Sequence, residues 1–132
     1  MKTIIALIFS LTLSLSTAYA IDINKLSLDD AVSIAKQADK NILIIFSIDN
    51  CIFCEMLKNE VVMFNIDNYV LCIVDVTNNA EIAKSFKLRI FPTSMILSVK
   101  NKEEKIIDTY IGYNKEKYPL WIEKNDIQKS VK

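Results

Sequence analysis

The feature that most constrains the fold of this chain is an apolar run from Ile42 to Phe46 that no polar residue interrupts. Isoleucine occupies three of its five positions, and β-branched residues of this kind favour strands. A strand that is apolar at consecutive positions must be covered on both faces. A second run, from Tyr69 to Val76, has the same character and is broken only by Asp75. The two runs therefore predict central strands of a sheet that is packed on both sides.

The other elements follow from helical spacing and turn residues. Ser27 followed by Asp30 has the pattern of a helix N-cap, and apolar residues then recur at helical spacing up to about Lys40. Further helices are predicted from Cys51 to about Phe64, from Asn78-Asn79 and within residues 114–129, and further strands at Ser94–Val99 and Lys105–Ile111. The order α-β-α-β-α-β-β-α predicts an α/β fold with a central mixed four-stranded sheet flanked by helices. The first half pairs in parallel through right-handed crossovers, and the second half adds an antiparallel hairpin.

Two of these helices carry more specific expectations. Asn50 or Asp49 is expected to cap the second helix, and Met56 and Met63 are expected to fill the core. Its apolar stripe would comprise Ile52, Met56, Leu57, Val61 and Phe64. The last helix is expected to begin at Pro119, because proline suits the first turn of a helix. Its inner face would comprise Leu120, Trp121 and Ile127.

The first twenty residues have the pattern of a secretory signal peptide. A short positive start at Met1-Lys2 precedes an apolar stretch from Ile4 to Leu15, and Ala18-Tyr19-Ala20 is a cleavage signature. The alternatives are a membrane anchor or a first helix of the fold, although the apolar stretch is shorter than the ~20 residues that span a bilayer. We therefore expect residues 1–20 to be removed after Ala20, leaving residues 21–132 as one exported, periplasmic domain.

The composition of the remaining chain excludes several classes of function. Removing Lys2 leaves 16 − 1 = 15 basic residues against 16 acidic ones, a balance that gives no electrostatic reason to bind nucleic acid. The chain has no histidine, which excludes histidine-based catalysis and histidine-ligated metal. Export would place its three cysteines where disulfides form and persist.

The cysteine pair in Cys51-Ile52-Phe53-Cys54 is the strongest functional signal. Two cysteines with this spacing at the start of a helix lie close enough to form a disulfide. The unsatisfied N–H groups and the dipole of a helix N-terminus favour the thiolate of the first cysteine, and the thiolate is the nucleophile of disulfide exchange. Cys51 is thus expected to attack a substrate disulfide and Cys54 to resolve the mixed disulfide, with no metal or cofactor.

Other interpretations of the cysteines remain open. The pair could be a structural disulfide, although a structural disulfide usually closes a longer loop, because its stabilisation grows with loop length. The pair could also be half of a zinc site, but zinc needs four ligands and only Cys72 remains to join them. A c-type haem would need a histidine where the chain has Glu55. Copper binding by the two thiolates also stays open. Cys72 is expected to be a small buried hydrophobe rather than a redox or dimerising group.

The motifs together resemble the thioredoxin superfamily over residues 27–129. The segment from Phe46 to Cys54 lies where that family has its first central strand and active-site loop, and Phe91-Pro92-Thr93 resembles its cis-proline loop. The segment Glu60-Val61-Val62 is similar to exported thioredoxin-related proteins. The resemblance implies a thioredoxin-like domain over residues 21–132 that acts as a thiol–disulfide oxidoreductase. It also implies that Pro92 is cis, with an ordinary trans proline at a strand start as the alternative.

The resemblance extends to substrates and partners. It implies that protein disulfides or dithiols bind at Phe91, Pro92 and Thr93 and beside Ile52 and Phe53. It also implies a monomer recycled by a membrane electron donor.

The chain departs from that family around the sulfurs. Ile52-Phe53 offers no side-chain hydrogen bond to a thiolate, Ile45 stands where thioredoxins hold a buried aspartate, and the lysine near it is replaced by Ile73 or a neighbour. Only the helix terminus would then favour the Cys51 thiolate, so we expect a reductase. A disulfide oxidase or isomerase and a binding module with an inert disulfide are the alternatives.

Overall fold

The computed structural model describes the backbone of residues 26–130 and the side chains of residues 26–126. The predicted signal peptide therefore lies outside the described residues. The elements are α1 (Leu28–Ala38), β1 (Asn41–Ser47), α2 (Ile52–Val61), β2 (Tyr69–Asp75), α3 (Ala80–Ser85), β3 (Thr93–Ser98), a 3-10 turn (Lys100–Lys102), β4 (Lys105–Ile111) and α4 (Lys117–Ser130). Their order is the one that the sequence predicts.

The four strands form one mixed sheet in the order β2-β1-β3-β4. β1 pairs with β2 in parallel, with Ile44 opposite Cys72, and with β3 in the antiparallel sense, with Ile44 opposite Met95. β3 and β4 form the antiparallel hairpin. The predicted fold class is confirmed.

Alternate residues of β1 point into two separate cores, as an apolar strand buried on both faces requires. Ile42, Ile44 and Phe46 pack on the side of α1 and α3. Leu43 and Ile45 pack on the side of α2 and α4, in a cluster with Leu57, Val61, Tyr118, Trp121 and Ile122. Each fully buried side chain of this kind contributes about 1.5–3 kcal/mol relative to an exposed one.

The predicted helix starts are partly right. The side chain of Ser27 caps α1, because its Oγ accepts a hydrogen bond from the Asp30 N–H at 3.1 Å. α2 is capped by Cys51 rather than by Asn50 or Asp49, and it ends at Val61, before the expected Phe64. α4 begins at Lys117, two residues before Pro119, so that the proline still lies within the first turn.

The predicted apolar faces of two helices also need correction. In α2 the inward residues Cys54, Leu57 and Val61 recur at helical spacing, and this leaves Ile52 and Met56 on the opposite side. Ile52 is 76% exposed, Met56 is 39% exposed, and Met63, just beyond the helix, is 74% exposed. In α4 the inward stripe comprises Tyr118, Trp121, Ile122 and Asn125, whereas Leu120 is 62% exposed. The side chain of Ile127 lies outside the described residues.

Within residues 26–130, no helix has both the length and the apolar character needed to cross a bilayer.

Candidate active site

A disulfide joins Cys51, at the end of the link between β1 and α2, to Cys54 in the first turn of α2. Their Cα atoms are 5.2 Å apart, within the range that a disulfide can join. Asn50, immediately before the pair, has a positive φ of 56°, a conformation that asparagine tolerates better than most residues. The chain turns there so that α2 begins directly after Cys51.

The sulfur of Cys51 is itself the N-cap of α2. Its Sγ accepts a hydrogen bond from the Cys54 N–H at 3.2 Å, and its carbonyl accepts one from the Glu55 N–H at 3.1 Å. A cap position lies at the positive end of the helix dipole, which favours a negative charge. The sulfur that would carry the thiolate after reduction is therefore already beside a backbone donor.

The two cysteines differ in their access to solvent. Cys51 is partly exposed, whereas Cys54 is completely buried on the inner side of α2. An incoming disulfide can reach Cys51, and Cys54 can reach only Cys51. The arrangement can therefore perform attack by one sulfur and resolution by the other.

The loop from Phe91 to Thr93 lies beside the disulfide. The carbonyl oxygen of Phe91 is 3.7 Å from the Sγ of Cys51, and the Phe91–Pro92 peptide bond is cis. Thr93 is buried and its hydroxyl donates to the Ile90 carbonyl at 2.6 Å, while the Gly112 N–H donates to the Pro92 carbonyl at 2.7 Å. These bonds hold the loop in place beside the sulfur.

Exposed apolar side chains follow Cys51 in the chain and precede Phe91, the residue whose carbonyl lies beside its sulfur. Ile52 is 76% exposed and Phe53 is 57% exposed in the first turn of α2, and Ile90, just before the Phe91 loop, is 57% exposed. Where exposed apolar side chains form a contiguous patch, they mark interaction sites in proteins. We call Ile52, Phe53 and Ile90 the apolar rim.

The charged groups near α2 lie at the surface rather than at the sulfurs. Lys58 Nζ pairs with Glu55 Oε1 at 3.1 Å. Hydrogen bonds from Thr77, and then the charge of Lys58, hold the pKa of Asp75 below its usual value. Asp75 lies at the end of β2 and is exposed, as the sequence indicates for an end-of-strand polar group.

One buried polar side chain, at the end of the strand that leads into the disulfide, was missed by sequence reasoning. Ser47 is the last residue of β1, is completely buried, and its Oγ has no hydrogen-bond partner. Sequence reasoning assigns it to the polar link because it follows an apolar run. The signal that could have found it is alternation, since Leu43, Ile45 and Ser47 fall on one face of the strand.

The third cysteine, Cys72, lies away from the disulfide. It is buried in the core on the α1 side of the sheet, and its thiol lies 3.6 Å from the Leu26 carbonyl. Burial raises the pKa of Cys72 to about 11, which keeps it a neutral thiol. Cys72 is thus buried, as expected for a small hydrophobe. Among the described residues, no group of three or more His, Cys, Asp or Glu side chains could hold a metal ion.

Comparison with known proteins gives a consistent fold assignment. The family model described as Thioredoxin matches residues 21–124. The chain is similar to the solution structure of a thioredoxin from Thermus thermophilus, with 14% identity, a TM-score of 0.66 and coverage of 76% of this chain and 85% of that one. It is also similar to a poplar thioredoxin h, with 21% identity, a TM-score of 0.65 and coverage of 80% and 92%. A third similar structure is Trichomonas vaginalis thioredoxin, with 20% identity, a TM-score of 0.61 and coverage of 73% and 88%. No curated protein matches the chain.

Proposed function

Because this chain belongs to the thioredoxin family, we propose that it reduces disulfides of extracytoplasmic proteins through the Cys51/Cys54 dithiol. The thioredoxin fold and the cysteine pair at disulfide distance support a thiol–disulfide oxidoreductase in general. The observation that carries the proposal is the asymmetry of the pair. Cys51 is a partly exposed residue whose sulfur caps the helix, and Cys54 is completely buried one turn further on.

The reaction proceeds in two exchanges. The Cys51 thiolate attacks one sulfur of a substrate disulfide, which forms a Cys51–substrate disulfide and releases the other substrate sulfur as a thiolate that takes up a proton. Cys54, having lost its proton, then attacks Cys51, which closes the Cys51–Cys54 disulfide and releases the second substrate sulfur. Two electrons pass from the dithiol to the substrate.

The substrate is held beside Cys51 by the Phe91 loop and the apolar rim. The Phe91 carbonyl lies close enough to Cys51 to accept a hydrogen bond from an extended substrate backbone docked against the sulfur. Pro92 and Thr93 keep that carbonyl in position, and Ile52 and Phe53 offer apolar contact on the other side. Apolar contacts are not sequence-specific, so the site suits varied or partly unfolded protein segments.

The direction of the reaction is inferred from the weak stabilisation of the reduced pair. A strong oxidant of this class has a reduced form that is specifically stabilised. Here the donor at Cys51 is the Cys54 N–H, and the two side chains between the cysteines are apolar. The pair should therefore favour the disulfide and act as a reductant, recycled by a membrane electron donor. A potential near −120 mV would instead indicate an oxidase, whereas one near −270 mV agrees with reduction.

Reduction of insulin by dithiothreitol tests the activity. The wild-type protein should accelerate insulin precipitation, and Cys51→Ser should abolish the acceleration because it removes the attacking sulfur. If the wild type does not accelerate precipitation and Cys51→Ser changes nothing, the protein is a binding module with an inert disulfide. The exposed apolar rim is the observation that favours this second candidate.

Export is tested separately from chemistry. The full chain expressed in a Gram-negative host should be recovered from the periplasm with Ile21 as its first residue, as determined by mass spectrometry of the intact protein. A product that keeps residues 1–20, in the membrane or the cytoplasm, would contradict cleavage after Ala20.

A further inference from the structure

A buried hydroxyl without a partner lies at the end of β1. Among the described residues, two buried side-chain polar atoms lack a hydrogen bond, Ser47 Oγ and Asn41 Oδ1. Leaving such a group unsatisfied inside the protein is destabilising. The two atoms stand at opposite ends of the same strand, and Ser47 is the one that leads into the disulfide link.

Strand alternation places Ser47 on the side of α2. Leu43 and Ile45 pack in one core with Leu57 and Val61 of α2. Ser47 is the next residue on that face of the strand. Because α2 runs back along β1 after a short link, its first inward residue, Cys54, lies towards the Ser47 end of the strand.

The pairing of β1 with β3 also places Ser47 at the end of the sheet near the disulfide. Phe46 lies opposite Thr93, so Pro92 follows in the antiparallel register opposite Ser47. Phe91, the residue before that proline, is the one whose carbonyl lies 3.7 Å from Cys51 Sγ. Ser47 is therefore beneath the cysteine pair both along α2 and across the sheet.

We propose that Ser47 is a positioning residue for the redox pair, whose hydroxyl donates a hydrogen bond to the Cys54 sulfur once the disulfide is reduced. This inference rests on the proposed function. In the disulfide form Ser47 Oγ has no partner. When two electrons break the S–S bond, Cys54 becomes a thiol or thiolate, and a thiolate is a strong acceptor for a hydroxyl donor.

A donor facing Cys54 would matter because that cysteine is completely buried. The inward residues next along α2 and β1, Leu57 and Ile45, cannot donate a hydrogen bond. An unpaired buried charge is costly, so a hydroxyl that turns towards the reduced sulfur would stabilise its thiolate. In this proposal the Ser47 hydroxyl turns towards the sulfur on reduction and keeps its own proton throughout, so it changes the energy of the exchange and not its stoichiometry.

The consequence is a shift of the redox equilibrium. The hydroxyl is unsatisfied in the oxidised form and satisfied in the reduced form, so it shifts the equilibrium part of the way towards the dithiol and makes the pair a weaker reductant than it would be without Ser47. Ser47→Ala removes both effects. We expect its equilibrium with glutathione to move about tenfold towards the disulfide, which corresponds to a potential about 30 mV more negative than that of the wild type.

The chain offers a matched control in Asn41. Its side chain is 6% exposed, its Oδ1 also lacks a partner, and alternation puts it on the same face as Ser47 at the far end of β1. Asn41→Leu therefore removes a comparable buried polar atom away from the sulfurs. Its potential should equal that of the wild type.

The three proteins are equilibrated in glutathione buffers and the disulfide fraction is measured by alkylation and mass spectrometry, with circular dichroism to confirm folding. A shift for Ser47→Ala without a shift for Asn41→Leu supports the inference. No shift for Ser47→Ala, or an equal shift for both variants, overturns the role of Ser47 and leaves the proposed function standing. If the wild-type pair does not exchange with glutathione at all, the proposed function fails and the inference fails with it.

Discussion

At the scale of single residues, the site depends on one sulfur that has two structural roles. Cys51 Sγ caps α2 through the Cys54 N–H and also adjoins the Phe91 carbonyl. The capping atom is usually a side-chain oxygen of Ser, Thr, Asp or Asn. Such an oxygen accepts the hydrogen bond from the helix N–H more strongly than a disulfide sulfur does. Reduction would place a negative sulfur at the cap and strengthen the bond. The helix start and the nucleophile are thus one feature.

The residue scale also shows where sequence reasoning reached its limit. It predicted Cys51, Cys54 and the Phe91 loop as site residues because their residue types and order are distinctive. The predicted cap of α2 was wrong because Asp49, Asn50 and Cys51 are adjacent in the chain, and only the backbone conformation decides which of them caps the helix. Ser47 was missed because a one-residue difference at a strand end decides whether a hydroxyl lies in the link or in the core.

At the scale of elements, the aromatic core beneath α4 is joined to β4 by one carboxylate. Asp108 Oδ2 accepts hydrogen bonds from Trp121 Nε1 at 2.9 Å and from Asn125 Nδ2 at 3.1 Å. Lys124 Nζ lies 3.7 Å from the same oxygen. The edge strand and the last helix are therefore held together by polar as well as apolar contacts.

This carboxylate predicts loss of stability in acid. Burial on its own would raise the pKa of Asp108, but hydrogen bonds from Asn125, the Thr109 N–H and Trp121, with the charge of Lys124, outweigh it and hold the pKa below its usual value. A lowered folded-state pKa contributes stability that is present above the unfolded pKa, about 3.9, and is lost as pH falls through the folded value.

We therefore expect the free energy of unfolding, measured in urea between pH 2.5 and pH 7 in solution, to fall below about pH 4. Asp108→Asn should be less stable than the wild type at pH 7 and should approach it at the lowest pH. Asp67→Asn, at an exposed carboxylate, is the control and should follow the wild type throughout. A constant difference between Asp108→Asn and the wild type at every pH would show that the carboxylate charge is not the cause.

Among the elements, the buried strand β1 was predicted correctly and the outward face of α2 was not. The run from Ile42 to Phe46 indicated a strand buried on both faces, and each face indeed packs against helices. The outward face of α2 was not predicted, because apolar residues occur on every side of that helix and Ile52, Met56 and Leu57 are equivalent in composition. Their difference arises from tertiary packing, which turns Leu57 inward and leaves Ile52 at the site.

At the scale of the whole molecule, the fold brings together segments that are far apart in sequence. Cys51 and Phe91 are 40 residues apart, yet their atoms meet because β1 and β3 pair side by side in the sheet. Such a contact follows from topology and not from local pattern, so it could be anticipated only from the resemblance to a known family. The same topology exposes one sulfur and buries the other, which is the basis of the proposed mechanism.

Trapping of a mixed disulfide tests this asymmetry most directly. The Cys54→Ser and Cys51→Ser variants are reduced, freed of reductant and mixed with a disulfide-containing protein such as insulin, and the products are separated without reduction and mapped by mass spectrometry. Cys54→Ser should accumulate an adduct through Cys51, because the attacking sulfur is accessible and nothing resolves the bond. Cys51→Ser should form little adduct, because Cys54 is buried. Equal adduct formation by both variants, or an adduct with Cys51→Ser alone, would contradict the account.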